Sequence, residues 1–179
     1  MRSMTALSSS VSVDVLTHTD KYIIATWRRL VMLIWNGEAN AEGVEHSRTV
    51  FEEWAKDQAR GAALLIVVPA RHATPPDENS RQAMRQTAGL PSAKLKGMGT
   101  FIQAEGFVAA TIRSVIMRLN VLTGDGSQNL FETASKAAEW AAKVLDDSEI
   151  SGAKLTNAIR TAHERAGLVP ITNSTVRSA

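Results

Sequence analysis

The sequence contains no cysteine, which excludes disulfide bonds, thiolate metal sites, iron–sulfur clusters and cysteine nucleophiles. It has no apolar run near the roughly 20 residues that a membrane-spanning helix needs, and residues 1–10 lack the apolar segment of a secretory signal. Neither sign of charge dominates, because 20 basic residues stand against 18 acidic ones. Nucleic-acid binding needs Lys and Arg gathered on one face and is not indicated. We expect a cytoplasmic protein without a transmembrane segment.

The composition of the chain is that of a globular protein. Hydrophobic residues make up 44% of the 179 residues and charged residues 21%, and this length is sufficient to bury a core. Residues 1–10 are small and polar, and we expect them to be flexible. Residues 11–146 are predicted to form one domain. Residues 147–179 are predicted to be a C-terminal extension with one helix, followed by disorder.

Three runs of apolar and β-branched residues predict strands. Residues 22–27 and 30–35 read as a hairpin with Arg28 and Arg29 at its turn, and residues 62–68 (AALLIVV) lie between Gly61 and Pro69. The second and third runs are apolar on both faces, so we expect two neighbouring interior strands. Because Trp27 lies beside the two arginines of the turn, it is predicted to be the most exposed tryptophan.

Helical patterns alternate with these strands. Helices are predicted over residues 40–58, over residues 74–87 with Thr74 as the cap, over residues 107–122, and after a cap at Thr133. Further strands are predicted over residues 98–104 and 129–132. The order predicts an α/β fold with a mixed central sheet of about five to six strands and helices packed on it.

This order of elements resembles the STAS domain, the fold of anti-anti-sigma factors. The likeness is carried by residues 30–58, by residues 62–68 before a helix, and by the closing segment LFETASKAAEWAAKVL at residues 130–145. It is closest to divergent bacterial STAS-like proteins of unknown role. STAS domains are non-catalytic regulatory modules that bind partner proteins. The resemblance therefore implies a protein-interaction function in signalling.

In the classical members of that family, a serine at the start of the helix after the central strand is phosphorylated and controls partner binding. The matching loop here is Pro69–Ser80 (PARHATPPDENS), which has no Asp-Ser-Ser-Gly pattern. Thr74 and Ser80 are the hydroxyls that it offers, and they are the candidate phosphorylation sites. A phosphate there would add about −1.5 to −2 charge to a docking surface. The candidate partner-binding residues are Arg71, His72, Thr74, Ser80, Arg81 and Glu105.

No catalytic residue, cofactor or metal ligand is predicted. The histidines, His18, His46, His72 and His163, lack partners at ligand spacing, and no Gly-x-Ser-x-Gly elbow occurs. One alternative is a small-ligand or lipid-binding domain with an apolar cavity between the sheet and the helix at residues 107–122. Another is an enzyme that uses Glu105 with Glu78 for acid–base chemistry. Homo-oligomerisation through the C-terminal extension is also left open.

Overall fold

The predicted α/β fold is confirmed by the computed structural model, which describes residues 12–69, 77–88, 94–103, 110–111, 113–114 and 128–167. Within these residues, six strands form one mixed sheet with helices packed on it. The strands are β1 (Asp14–His18), β2 (Tyr22–Trp27), β3 (Leu30–Trp35), β4 (Ala62–Val68), β5 (Leu95–Ile102) and β6 (Gln128–Phe131). The helices are α1 (Ala41–Ala55), α2 (Glu78–Ala88), α3 (Ala134–Leu145) and α4 (Gly152–Arg165).

The strands lie in the sheet in the same order as in the chain, from β1 to β6. The first three are antiparallel, and β3 to β6 run parallel to one another. The two wholly apolar runs are neighbours, with Leu30 opposite Ala63 and Ile34 opposite Val67. This confirms the predicted pair of interior strands. Parallel strands need covered faces, and every residue of β3 and β4 is buried.

Each face of the sheet has its own buried cluster. On one face, α1 and α2 contact each other and cover a cluster that includes Ile24, Leu33, Leu64 and Ile102. On the other face, α3 and α4 cover a cluster that includes Ile23, Met32 and Leu65. Trp27 belongs to this second cluster and is only 4% exposed. The prediction of an exposed Trp27 is therefore wrong, because helices from the end of the chain cover the hairpin.

Two glycines of β5 let α3 approach the sheet closely. A Cβ atom on Gly99 would lie 2.7 Å from Cε2 of Phe131 and 3.2 Å from the ring of Trp140. A Cβ atom on Gly97 would meet the same tryptophan at 3.2 Å and Val144 at 3.3 Å. The two aromatic rings pack with their centroids 5.3 Å apart. The absence of a Cβ atom at these two glycines therefore allows α3 to pack closely against β5.

At the amino ends of the parallel strands, the turn between β2 and β3 is joined to the segment after α3. Arg28, in the left-handed conformation (φ 57°), donates from Nε to Oδ2 of Asp147 at 2.5 Å. Arg29 donates to the backbone oxygen of Leu145 at the end of α3, and to those of Arg60 and Gly61. The hydrogen bond from Arg28 lowers the pKa of Asp147 below its ordinary value. These contacts hold the end of α3 against the hairpin turn.

One predicted helix begins at a different residue in the structure, and another is described only in part. The helix before β5 begins at Glu78, later than the predicted start at Thr74, which lies outside the described residues. The helix predicted over residues 107–122 is described at residues 110–111 and 113–114, and all four are helical.

The predicted extension contains the expected helix, α4, whose apolar side chains Leu155, Ala158, Ile159 and Ala162 join the buried cluster of the second face. The domain boundary at residue 146 stays a prediction.

Candidate functional site

The candidate site lies at the carboxyl ends of the parallel strands. Because β3, β4, β5 and β6 run parallel, their carboxyl ends meet at one edge of the sheet. The segments that follow them lead into helices there, and this edge is where open α/β sheets usually bind ligands and partners. The described part of the edge is built from the first turns of α1 and α2, the end of β6 and the helical residues near 113.

The first turn of α2 is closed by a side-chain cap. Asp77 precedes the helix, and its Oδ1 accepts a hydrogen bond from the backbone N–H of Ser80 at 2.8 Å. The nearby hydroxyl of Ser80, and then the hydrogen bond from the Ser80 backbone N–H, lower the pKa of Asp77 below its ordinary value of 3.8. Asp77 therefore remains ionised at neutral pH. Its negative charge also suits the positive end of the helix dipole.

One face of this helix is packed and the other is open. Ser80 is 0% exposed and Ala83 is buried one turn later. The open face presents a short set of polar side chains, Glu78, Asn79, Gln82 and Gln86, all of them exposed. Arg81 lies between the two faces and pairs with Glu78, Nη2 to Oε2, at 2.8 Å. The described side chains on the open face of α2 are therefore all polar.

An aromatic cluster lies beneath the first turn of α1. The Tyr22 hydroxyl and Nδ1 of His46 form a hydrogen bond of 2.7 Å, and the rings of Tyr22 and Trp35 meet edge to face with centroids 5.7 Å apart. Gly43 makes this contact possible, because a Cβ atom there would lie 2.5 Å from Cη2 of Trp35. Burial, and to a smaller extent the nearby charge of Glu42, raises the pKa of Tyr22 above 10.0. Tyr22 is therefore a neutral hydrogen-bonding anchor for α1.

A further ion pair lies beside β6 at this edge of the sheet. Arg113, in the helical segment after β5, pairs with Glu132 directly after β6, Nη2 to Oε1, at 2.9 Å. Both side chains are partly exposed, so the pair contributes little to stability. It does connect the end of β6 to the segment before it.

The structure brings together part of the predicted set. Ser80 and Arg81 are adjacent in the first turn of α2, with Ser80 buried and Arg81 half-buried. Arg71, His72, Thr74 and Glu105 lie outside the described residues, and so does most of the helix that would line the predicted apolar cavity. The sequence reasoning missed the Tyr22–His46 pair. Its two residues are 24 positions apart, and only knowledge of how α1 lies over β2 would have joined them.

The described residues contain no group of three or more His, Asp or Glu side chains placed to hold a metal ion. Of the histidines, His46 bonds to Tyr22, His163 is buried in α4, and His18 is exposed on β1. His72 lies outside the described part of the chain. Among the described residues, no helix is long and apolar enough to cross a membrane.

Comparison with known proteins found no match to this chain among family models, curated proteins or solved structures.

Proposed function

We propose that this chain is a non-catalytic regulatory or protein-interaction module of the STAS-like type, which binds a partner protein through the loop and helix after β4. The main support is the first turn of α2. Asp77 caps it by accepting a hydrogen bond from the backbone N–H of the buried Ser80, so its open polar face belongs to a helix that is ordered before any partner arrives. A preordered helical surface loses little conformational entropy on binding.

The chemistry of this surface favours a polar contact. Among the described side chains of α2, the exposed ones are carboxylate and amide groups, and Glu78 pairs with Arg81. Such groups provide specificity through hydrogen bonds and suit a reversible, regulated interaction better than a permanent apolar interface.

Site-specific photo-crosslinking tests the proposal. A photoreactive amino acid replaces Gln82, on the open face of α2, in the full chain, and crosslinking is carried out in the cells that make the protein. The matched control places the same group at His18, which is exposed on β1. We expect a defined protein adduct at position 82 and none at position 18, and Asn79→Arg should weaken that adduct. Equal adducts at both positions would contradict the proposal. An adduct with a second copy of the chain would identify the partner as the protein itself.

The resemblance also suggests control by phosphorylation at Thr74 or Ser80. Ser80 is 0% exposed, so a kinase could reach it only after the first turn of α2 opened. A phosphate there would stand beside the carboxylates of Asp77 and Glu78 and repel them. Intact-mass analysis of protein from its native cells, compared with Thr74→Ala and Ser80→Ala, tests this. Loss of an added 80 Da mass (about one phosphate group) in one of the two variants would identify the acceptor, and an unmodified parent protein would remove this part of the proposal.

A further inference from the structure

One side of α1 carries a row of three charges with alternating sign. Glu45, Arg48 and Glu52 are spaced three and four residues apart, so they lie along one side of the helix. Glu45 and Glu52 are exposed, and Arg48 pairs with Glu52, Nε to Oε1, at 3.2 Å. With a rise of about 1.5 Å per residue, this α1 row is about 10 Å long. Its signs along the helix are negative, positive and negative.

The helix α3 carries a row with the same spacing and the opposite signs. Its members are Lys136, Glu139 and Lys143, and all three are exposed. Ala137 and Ala141 on the other side of the helix are buried against the sheet, so this α3 row faces solvent. Among the described residues, neither lysine has an ion-pair partner. The signs of the α3 row are positive, negative and positive.

The two rows lie on opposite faces of the sheet, but their helices run in the same direction. One buried cluster lies beneath α1 and the other beneath α3. Since α1 follows β3 and α3 follows β6, both helices begin at the edge where the parallel strands end. The sheet separates the two rows within one copy. A second copy stacked in the same orientation sets its α1 parallel to the α3 of the first.

We propose that this chain associates with itself, the α1 row of one copy lying on the α3 row of the next. In the parallel register the rows form three ion pairs, Glu45 with Lys136, Arg48 with Glu139, and Glu52 with Lys143. The two surfaces differ and each copy has one of each, so the contact is heterologous and joins copies head to tail. This contact is separate from the open face of α2 and does not rest on the proposed function.

The contact is polar and sensitive to salt. Every exposed side chain on α1 and α3 is polar or charged. A single exposed ion pair contributes little, so the association needs the three pairs together. Screening by salt weakens all three at once. The assembly is therefore reversible and differs from a permanent apolar interface.

Sedimentation velocity of the full chain over a range of protein concentrations tests the assembly. In about 0.01 M salt the sedimentation coefficient should rise with concentration, and in about 1 M salt it should stay that of the monomer. Lys136→Glu should lower the association constant more than about tenfold, because it places like charges opposite each other. The matched control is Lys21→Glu, the same charge reversal at an exposed residue between β1 and β2, which should associate like the parent.

Two double variants with the net charge of the parent test the register. Glu45→Lys with Lys136→Glu exchanges the charges of one proposed pair and should restore association. Glu52→Lys with Lys136→Glu has the same composition but leaves two like-charged pairs, and it should stay monomeric. The circular dichroism of all variants should match the parent, since the replaced side chains are exposed. A parent protein that stays monomeric in low salt would overturn the proposal, and restoration by the Glu52→Lys double variant instead would overturn the parallel register.

Discussion

Tyr22 is the only tyrosine of the chain, which makes its surroundings directly measurable. Its ring is 2% exposed and its hydroxyl is bonded to His46. Burial disfavours the phenolate, and the charge of Glu42 adds to this effect. In the folded protein the phenol of Tyr22 therefore stays protonated to a higher pH than a free tyrosine.

Absorbance titration of the phenolate should give a single transition above pH 10.0 in the folded protein. Glu42→Gln should lower the pKa of Tyr22 part of the way towards its ordinary value, because it removes the charge of Glu42, which raises this pKa less than burial does. The pKa is raised by folding, so this group stabilises the fold fully below pH 10 and the stabilisation is lost as the pH rises through the folded pKa. Tyr22→Phe is the control for stability, since it lacks this pH dependence and should cost about 1 kcal/mol at neutral pH. A transition at or below pH 10 would contradict the burial argument.

Gly43 tests how closely α1 approaches the sheet. A Cβ atom at this position would lie 2.5 Å from Trp35 and 2.9 Å from Tyr22, and both rings are buried. We expect Gly43→Ala to lower the free energy of unfolding by about 1–3 kcal/mol despite the better helix propensity of alanine. The control is Gly37→Ala, where the nearest atom is 3.8 Å away. Urea unfolding followed by circular dichroism measures both. An unchanged midpoint for Gly43→Ala would show that the helix can move away without cost.

At the scale of the element, α2 shows how one side chain defines the start of a helix. The sequence predicts a start at Thr74, which two prolines follow. The described helix begins at Glu78, and Asp77 caps its first turn. Aspartate is also a preferred capping residue, so the local sequence does not decide between the two positions.

Replacing the cap should therefore weaken α2 in a pH-dependent way. Asp77→Ala leaves the N–H of Ser80 without its acceptor and should lower the melting temperature by about 2–4 °C. Because the folded pKa of Asp77 is depressed, its contribution is present above the unfolded pKa near 4 and is lost as the pH falls through the folded value. Asp77→Asn is the control, since asparagine caps equally well without titrating. Calorimetry at pH 7 and pH 3 distinguishes them. A melting temperature for Asp77→Ala equal to that of the parent at pH 7 would show that the cap is not needed.

Three strands have the predicted limits, and the predicted cap at Thr133 is confirmed, whereas the strands predicted over residues 98–104 and 129–132 are Leu95–Ile102 and Gln128–Phe131. Residues 22–27, 30–35 and 62–68 appear as β2, β3 and β4 with the predicted limits, because long β-branched runs bounded by glycine, proline or charged turns leave few alternatives. Local pattern could not show the bulge in β1 or the contact between α4 and the hairpin. Each depends on residues distant in the chain, such as Arg165 and Val13, which are 152 positions apart.

For the whole molecule, the order of strands and helices along the sequence predicts a sheet with helices on both faces, but it does not predict the arrangement of the candidate functional site. Alternation of strands and helices indicates a sheet covered on both faces, and the two buried clusters have that arrangement. The candidate surface follows from the position of the loop after β4, and of its predicted residues only Ser80 and Arg81 are described. The burial of Ser80 could not be read from its polarity, because a short hydroxyl side chain in a first helical turn is compatible with either face.

The two clusters are separated by the sheet but should unfold together. Phe51→Leu on α1 and Leu145→Val on α3 each remove part of a buried side chain, one from each cluster, and should each cost about 1 kcal/mol. Because the side chains lie on opposite faces without shared contacts, the double variant should lose the sum to within about 0.5 kcal/mol. Urea transitions followed by tryptophan fluorescence and by circular dichroism should coincide in all three variants. Separate transitions, or a double variant no weaker than either single one, would mean that the two faces are not parts of one cooperative core.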